Sequence, residues 1–513
     1  MRAILSVSDK TGLADFARGL HELHFEIFST GGTKKVLIDA GIPVHSVSDL
    51  TGFPEILDGR VKTLHPGVHG GILAKRSNAD HQSQLEKNNI TLIDLVAVNL
   101  YPFRETVARS GVTLDEALEN IDIGGPTMVR AAAKNFPDVL VVVDPSDYDY
   151  ILRQIRSGNV GQEERKRLAQ KAFQHVASYD TAIAQYLKAD QQHFAEELTI
   201  SMRKKLDLRY GENPHQKAAF YKEMVAGKEH IGIASAKQLW GKELSFNNIL
   251  DSDAAWNAAT DFSEPTVAVI KHTNPCGLAS HANLAEAYKR AFEGDTVAAF
   301  GGIVALNRSV DLKTAREISN VFYEVVIAPE YDEDALELLK KKKDLRILSM
   351  KKGSTDGRVH PSDITLRHVS GGFLLQTADS LPDDSLEMRT VTKREPTKQE
   401  IADLKFAWKA VKHVKSNAIV LVQHSSIVGM GAGQPSRVVS VGISLDKAGE
   451  KSKGSVLGSD AFFPFPDGVE LAAHGGVTAI IQPGGSIRDE EAIGVANKYN
   501  MAMVFTGIRH FKH

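Results

Sequence analysis

Over the first 145 residues, short apolar runs alternate with segments whose apolar positions recur every three or four residues. Residues 3–8 read as a strand. Residues 13–23 read as a helix with Leu13, Phe16, Ala17 and Leu20 on one face. Residues 25–29 read as a second strand and 34–40 as a second helix. Residues 92–100, Leu-Ile-Asp-Leu-Val-Ala-Val-Asn-Leu, predict a strand buried on both faces, the pattern of parallel sheets. A helix over 126–135 and a strand over 139–143 follow. This alternation predicts a doubly wound parallel sheet. Such sheets take their ligands at the carboxyl ends of the strands.

From residue 146 to about 192 the pattern is helical and rich in Ala, Arg, Lys and Gln. It predicts a helical connector that also packs on something, such as a partner chain. A second alternating region begins near residue 206. Its strands read as 266–270, 297–306, 325–328, 418–423, 427–430 and 477–482, and its helices as 312–322, 335–342, 398–412 and 489–499. About 300 residues exceed the usual single core, which predicts two subdomains. Segments 268–277 and 418–433 each set a polar, glycine-containing turn beside an apolar strand, a faint internal repeat. The expected division is a domain over 1–145, a connector over 146–199 and a domain over 200–513.

Composition narrows the class. Hydrophobic residues make up 42% and charged residues 24% of the 513, as in ordinary globular chains. A net charge of −3 gives no global basic field for nucleic acid or membrane, so an anion must be held by local groups. The one cysteine, Cys276, rules out an intrachain disulfide and a four-cysteine zinc site. The start runs straight into a strand, unlike a signal peptide. No apolar run approaches the ~20 residues that span a bilayer. These features predict a reducing, cytoplasmic setting without membrane or nucleic-acid partners.

Polar clusters follow several strands of the first region. Ser6-Val7-Ser8-Asp9-Lys10-Thr11-Gly12 and Ser29-Thr30-Gly31-Gly32-Thr33 each open a helix. Such loops suit a phosphate, or they simply cap helices. Gly59 to Gly71 packs Arg60, Lys62, His65, His69, a proline and four glycines into thirteen residues. Arg60 and Lys62 suit phosphate or substrate contact. His65 and His69 are spaced for a metal, without a carboxylate in the stretch. Asn99-Leu100-Tyr101-Pro102-Phe103 ends the buried strand. Asp122-Ile123-Gly124-Gly125 precedes a helix carrying Arg130 and Lys134, with Asp122 and Lys134 about three turns apart.

In the second region, Leu208-Arg209-Tyr210-Gly211-Glu212-Asn213 could clamp a phosphate and stack on a heterocycle, or cap a domain entry. Lys271-His272-Thr273-Asn274-Pro275-Cys276-Gly277 places Lys-His at a strand end before a Pro-Cys-Gly turn, a general acid/base candidate. The Pro-Cys pair is similar to that of zinc nucleoside deaminases, but the required second cysteine is absent. Ala299-Phe300-Gly301-Gly302 ends another strand, and Lys415-Ser416-Asn417 leads into a further one. Gly429 to Arg437 fails as a dinucleotide fingerprint. Ser459 to Asp467 interleaves aromatics, prolines and Asp, as a core-facing loop or a bed for a flat ligand would.

The strings SVSDKTG, STGGT, GRVKTLHPGVHGGIL, NLYPF and DIGGPTMVRAAAKN, in this order, resemble the inosinate cyclohydrolase domain. LRYGENPHQ, IKHTNPCG, AFGGIVAL, SNAI, GAGQPSR and SDAFFPFPD resemble the aminoimidazole-carboxamide ribotide (AICAR) transformylase domain of the same bifunctional purine-synthesis family. The resemblance implies a methylglyoxal-synthase-like first domain. It implies two cytidine-deaminase-like subdomains without zinc after it. The implied activity is formyl transfer from 10-formyltetrahydrofolate to AICAR, then dehydrative closure of the product (FAICAR) to inosinate (IMP). No tightly bound cofactor is implied; the folate is a co-substrate. A homodimer with shared transformylase sites is implied.

By the same resemblance, Ser8, Asp9, Lys10, Thr30, Gly31, Gly32, Thr33, Arg60, Thr63, Asn99 and Ile123 contact the substrate of ring closure. Lys62, Tyr101, Asp122 and Lys134 surround its reacting groups, with Lys134 transferring the proton and Lys62 stabilising the oxyanion. For formyl transfer, His272 is the base, Lys271 the acid, and Asn417 orients or polarises the formyl oxygen. Arg209, Tyr210, Gly301, Glu324, Phe462 and Arg509 hold the ribotide, and Arg437, Asp467, Ser486 and Ile487 touch the folate. Two rival readings exist: a methylglyoxal-synthase-like lyase with an unrelated second domain, and a non-catalytic nucleotide sensor. The first leaves Lys271-His272 and the aromatic cluster without work. The second leaves the lysines beside Tyr101 and Asp122 unexplained.

Overall fold

The computed structural model describes residues 1–158, 160–188, 194–225, 232–350, 364–380 and 386–513. The chain divides into two compact units, Met1–Arg203 with Glu223–Glu229, and Lys204–Lys222 with His230–His513.

The first unit is built on five strands, β1 (Arg2–Ser6), β2 (Glu26–Ser29), β3 (His45–Ser46), β4 (Leu95–Val98) and β5 (Leu140–Val142). All pair in parallel, in the order β3-β2-β1-β4-β5. Every residue of β4 is buried, as its unbroken apolar run requires. The helix Leu13–Glu22 buries Leu13, Phe16, Ala17 and Leu20 on one stripe. The segment expected as a connector lies within this unit. Its helices Tyr148–Arg156 and Gln162–Leu187 bury Ile151, Leu152, Leu168, Ala172 and Val176 in the same core. Tyr148 stacks on Phe16 with ring centroids 4.2 Å apart. Both helices are amphipathic, and an apolar stripe must be covered.

A hairpin, β6 (Met202–Leu208) with β7 (Ala218–Glu223), precedes the strands of the second unit. These are β8 (Lys237–Trp240), β9 (Thr266–Lys271), β10 (Asn274–Ser280), β11 (Ile303–Leu306), β12 (Val325–Ala328), β13 (Arg346–Ser349), a separate hairpin β14 (Ile364–Val369) and β15 (Gly372–Thr377), then β16 (Arg389–Thr390), β17 (Ile419–Gln423), β18 (Ser426–Gly431), β19 (Val456–Ser459), β20 (Ala479–Gln482) and β21 (Ala502–Phe505). Twelve of them form one mixed sheet, β16-β21-β20-β19-β17-β18-β10-β9-β11-β12-β13-β8.

That sheet is a duplication. In each half a helix (Phe246–Thr260 or Lys398–Val411) leads to an antiparallel hairpin, β9–β10 or β17–β18. The hairpin's first strand pairs antiparallel with β11 or β19, and two parallel strands follow. The halves join where β10 meets β18 antiparallel. The two expected subdomains therefore share one sheet, with Trp256, Phe406 and Trp408 in a core common to both. Corresponding glycines mark the close helix approach. A Cβ on Gly277 would stand 1.7 Å from the Ala291 carbonyl, and one on Gly429 would stand 2.1 Å from that of Ser444.

Two local expectations are corrected. Pro275-Cys276-Gly277 is not a turn but part of β10. The chain reverses earlier, at His272 and Thr273, which both take positive φ, and Cys276 is passed over as the register shifts. The strand expected over 297–306 begins only at Ile303, because Asp295 caps a turn through the Ala298 N–H.

Candidate active sites

In the first unit, the loops after β1, β2 and β4 converge on the carboxyl edge of the sheet. Thr33 joins the first two. Its hydroxyl accepts from the Val7 N–H at 3.1 Å and donates to the Val7 carbonyl at 2.9 Å. Asn99, buried at the end of β4, accepts from the N–H groups of Ser8 and Asp9 and donates to the Asp9 carbonyl at 3.1 Å. Lys10 donates to the Val7 carbonyl and lies 3.4 Å from Thr33 Oγ1. Burial lowers its ammonium pKa against the pull of Asp9. Thr30, Gly31 and Gly32 form the entry to the helix Gly31–Asp39, whose free N–H groups face this edge.

The Gly59–Thr63 stretch crosses the same edge. A Cβ on Gly31 would be 3.9 Å from Lys62 Nζ, so Lys62 lies over the second loop. Thr63 is buried, and a Cβ on Gly124 would be 2.5 Å from its hydroxyl. Arg60 pairs with Glu119 on the surface. Asp122 accepts from the Gly125 N–H at 2.9 Å at the start of the helix Gly124–Lys134. Its own N–H donates to Tyr179 Oη at 2.8 Å. Burial raises the Asp122 carboxyl above the usual range, with the Gly125 N–H and Lys62 opposing. Tyr101 and Ile123 are exposed beside it.

The structure does not bring Lys134 to this group. Lys134 ends the helix that Asp122 precedes, ten helical steps or about 15 Å from Gly124. It lines an open cavity of about 620 Å³ with Arg130, Lys166 and Phe173. His65 Nδ1 accepts from the Gly67 N–H as a helix cap. Among the described residues, no group of three or more His, Cys, Asp or Glu is placed to hold a metal ion.

In the second unit, the turn that follows β9 is tied through Asn274 to Lys415, two residues before Asn417, which leads into β17. Lys271 Nζ donates to the Phe300 carbonyl at 2.9 Å. Asp251 accepts from the N–H groups of His272 (3.0 Å) and Thr273 (2.7 Å), which fixes the turn and leaves the His272 ring exposed. Asn274 links the two segments. Its amide donates to the His272 carbonyl at 3.2 Å and accepts from the Lys415 N–H at 3.1 Å. Asn417 donates to the carbonyls of Gln434 (2.9 Å) and Pro435 (3.1 Å) and accepts from Arg437 at 2.8 Å. Its donors are thus spent on backbone carbonyls, which suits orienting more than polarising. Arg437 is buried against Asp460 and Ser459. Burial pushes the neighbouring Cys276 thiol up to about 12, so it is inert as a nucleophile.

The other expected contacts are spread over separate surface loops of this unit. Gly301 takes φ +73° beside the exposed rings of Phe300 and Phe322. Glu324 is engaged by Arg346 at 2.6 Å. Arg209 lies over the Tyr210 ring and Arg509 over Phe511. Phe462 is half-open to solvent, Asp467 opens the helix Asp467–His474, Ser486 accepts from the Arg488 N–H, and Ile487 is fully exposed.

Residues 132–447 match the AICARFT/IMPCHase bienzyme family. The chain belongs to that family. Its residues 12–127 match the MGS-like domain family, in agreement with the five parallel strands. Over 514 residues it is 53% identical to the "Bifunctional purine biosynthesis protein PurH" of Bacillus cereus (strain B4264) and to that of Bacillus subtilis (strain 168). Each alignment covers 100% of this chain and 99% of the relative. The solved structure named "Crystal structure of ForH" is 39% identical, with a TM-score of 0.34, covering 36% of this chain and 95% of that chain. As a member of the AICARFT/IMPCHase family, the chain is a bifunctional enzyme, AICAR formyltransferase and IMP cyclohydrolase.

Sequence reasoning missed three groups of this bienzyme: Asp251, which holds the Lys271-His272 turn, Tyr179, which holds Asp122, and Asp460, which holds Ser416 and Arg437. A signal existed for the first. Asp251 stands 21 residues before His272, as Asp403 stands 21 before His424, and Asp403 accepts from the N–H groups of His424 and Ser425 in the same way.

Proposed function

We propose that the two activities divide between the two units: the loop cluster of the first closes the ring, and the β9–β17 edge of the second transfers the formyl group. The bienzyme catalyses the last two steps of IMP synthesis. The formyl of 10-formyltetrahydrofolate passes to the 5-amino group of AICAR, and the resulting FAICAR then loses water as it closes to IMP.

The observation that carries the first assignment is the convergence of hydroxyls, helix N–H groups, Lys10, Lys62 and the buried Asp122 on one sheet edge. Lys10 and the N–H groups of the 31–39 helix suit the 5′-phosphate. In ring closure the carboxamide nitrogen attacks the formyl carbon, so a proton must leave nitrogen and negative charge grows on oxygen. Asp122 can take the proton, and Lys62 can meet the oxyanion. Within one chain Lys134, which the resemblance makes the proton-transfer group, stands apart from this cluster at the far end of its helix; a homodimer is also part of the proposal.

For formyl transfer, the amine of AICAR is a poor nucleophile because its lone pair is delocalised. His272 takes its proton as the bond forms, Lys271 protonates the folate nitrogen that leaves, and Asn417 orients the formyl group. The remaining ribotide and folate contacts keep the assignments given by resemblance, except Arg437, which is buried against Asp460 and Asn417 instead of facing a ligand. So do the cytidine-deaminase-like descent of the two halves and a cytoplasmic setting. No tightly bound cofactor takes part. The test supplies AICAR and 10-formyltetrahydrofolate to purified protein and follows tetrahydrofolate and IMP by absorbance. IMP that depends on both substrates is expected. Tetrahydrofolate without IMP would remove the first-unit assignment.

A further inference from the structure

We infer that Asp460, paired with Arg437, is a positioning element of the formyl-transfer site that fixes Asn417 and, through the 415–417 segment, the His272 turn. The Asp460 side chain is fully buried. One carboxylate oxygen accepts from Arg437 and the other from Ser416 Oγ. Arg437 passes a second guanidinium N–H to Asn417 Oδ1 at 2.8 Å and a further bond to Ser459 Oγ at 2.9 Å. Lys415, next to Ser416, donates its N–H to Asn274, and Asn274 donates to the His272 carbonyl. Hydrogen bonds thus run from a buried carboxylate to the Asn417 side chain and, by way of the 415–416 backbone and Asn274, to the His272 carbonyl.

The duplicated sheet supplies the comparison. Asn307 stands in the first half where Asp460 stands in the second. Each follows the strand beside the hairpin, and each sends its N–H to the start of the hairpin, Asn307 to the Thr266 carbonyl at 3.2 Å and Asp460 to the Ala418 carbonyl at 3.3 Å. Asn307 ties its corner together as a neutral amide, accepting from the Thr266 N–H and donating to the carbonyls of Phe262 and Glu264. The helix that opens with Arg437 has a counterpart that opens with Leu284. The fold therefore needs a polar side chain at this corner, not a charge. A buried ion pair is a weak way to gain stability, and it occurs only in the half that carries Asn417. What distinguishes it is the bidentate fork, which holds Asp460 and Asn417 at once.

The inference rests on the formyl-transfer reading of this edge. The test uses full-length Arg437→Lys, which keeps a cation beside Asp460 but cannot span to Asn417. A second variant, Asp460→Asn/Arg437→Met, removes both charges. Cyclisation of supplied FAICAR and thermal unfolding report folding in the same preparations. Each variant should lower kcat for formyl transfer by about 100-fold, as a misplacement near 1 Å does. KM for 10-formyltetrahydrofolate should stay within about threefold, since ground-state binding is untouched. In an Asn417→Ala background, Arg437→Lys should have no further effect on the single-turnover rate. Losses that multiply in the double variant, or a loss borne by the folate KM, would make Arg437 a substrate contact and overturn the proposal. So would wild-type transfer by either variant. If His272→Ala and Asn417→Ala both retain full transfer, the reading of the edge fails instead.

Discussion

Gly125→Ala gives the sharpest test of the first-unit site. Gly125 lies in the first turn of the 124–134 helix and donates its N–H to Asp122 at 2.9 Å. A Cβ there would stand 2.4 Å from Asp122 Oδ2 and 2.9 Å from Leu100 Cδ2. Ordinary contact begins at 3.4 Å, so the carboxylate must retreat by 3.4 − 2.4, or 1.0 Å. That movement breaks or bends the bond from Gly125. A hydrogen bond to a charged group contributes about 1.5–3 kcal/mol. If the loss falls wholly on the transition state, 1.36 kcal/mol per decade gives a cyclisation rate lower by about 10- to 160-fold. The assay is closure of supplied FAICAR to IMP under saturating substrate, with formyl transfer measured separately in the same preparation. Transfer should be unchanged, because the second unit is untouched. Wild-type cyclisation in folded Gly125→Ala would show that the position of Asp122 is irrelevant and sink its role as base.

Asp122 also sets a pH signature. Burial raises its carboxyl, so the proton is held to a higher pH than by an ordinary Asp. Cyclisation should fall on the acid side above the normal carboxylate range, and Asp122→Asn should be inactive at every pH. Lys134→Ala should abolish cyclisation and spare transfer. Retained cyclisation would leave Asp122 as the group that takes the proton and remove Lys134 from the step. Lys271→Ala and His272→Ala should abolish transfer while closure of supplied FAICAR continues; loss of both activities in folded protein would refute the two-site division. Burial favours the protonated form of Glu400, but Arg394 and the Thr397 N–H outweigh it and hold the carboxyl at about 2. Because that lies below the ordinary value of 4.5, its stabilisation is complete above that pH and fades as pH falls toward 2. Glu400→Gln should therefore flatten acid unfolding over that window.

Much of the first unit was legible because its information is local. The stripe Leu13, Phe16, Ala17, Leu20 and the unbroken run in β4 each admit one arrangement, and strand ends then locate the loops. The second unit was less legible because long-range contacts decide it. The turn signal in Pro275-Cys276-Gly277 is sound locally. It loses to Asp251, which grips His272 and Thr273 from 21 residues away and reverses the chain earlier. The helix Phe246–Thr260 went unread because its buried face carries Asn248 and Ser252 among Ile249, Ala255, Trp256 and Ala259, which breaks the apolar stripe. Lys134 shows a different limit of local reading. Its motif is plain in the sequence, but a rigid helix carries it away from Asp122.

The joint between β10 and β18 has a consequence for synthesis on the ribosome. β10 ends at Ser280, and its neighbour β18 does not begin until Ser426, 426 − 280, or 146, residues later. At about 5–20 residues per second, that interval lasts roughly 7–30 seconds. During it the first half can already be complete, since its strands to β13 end at Ser349. Yet it presents one edge with free N–H and C=O groups, the kind that recruits strands from other chains. The duplication that gives the enzyme its single broad sheet thus makes each nascent chain wait with an open edge for its own second half.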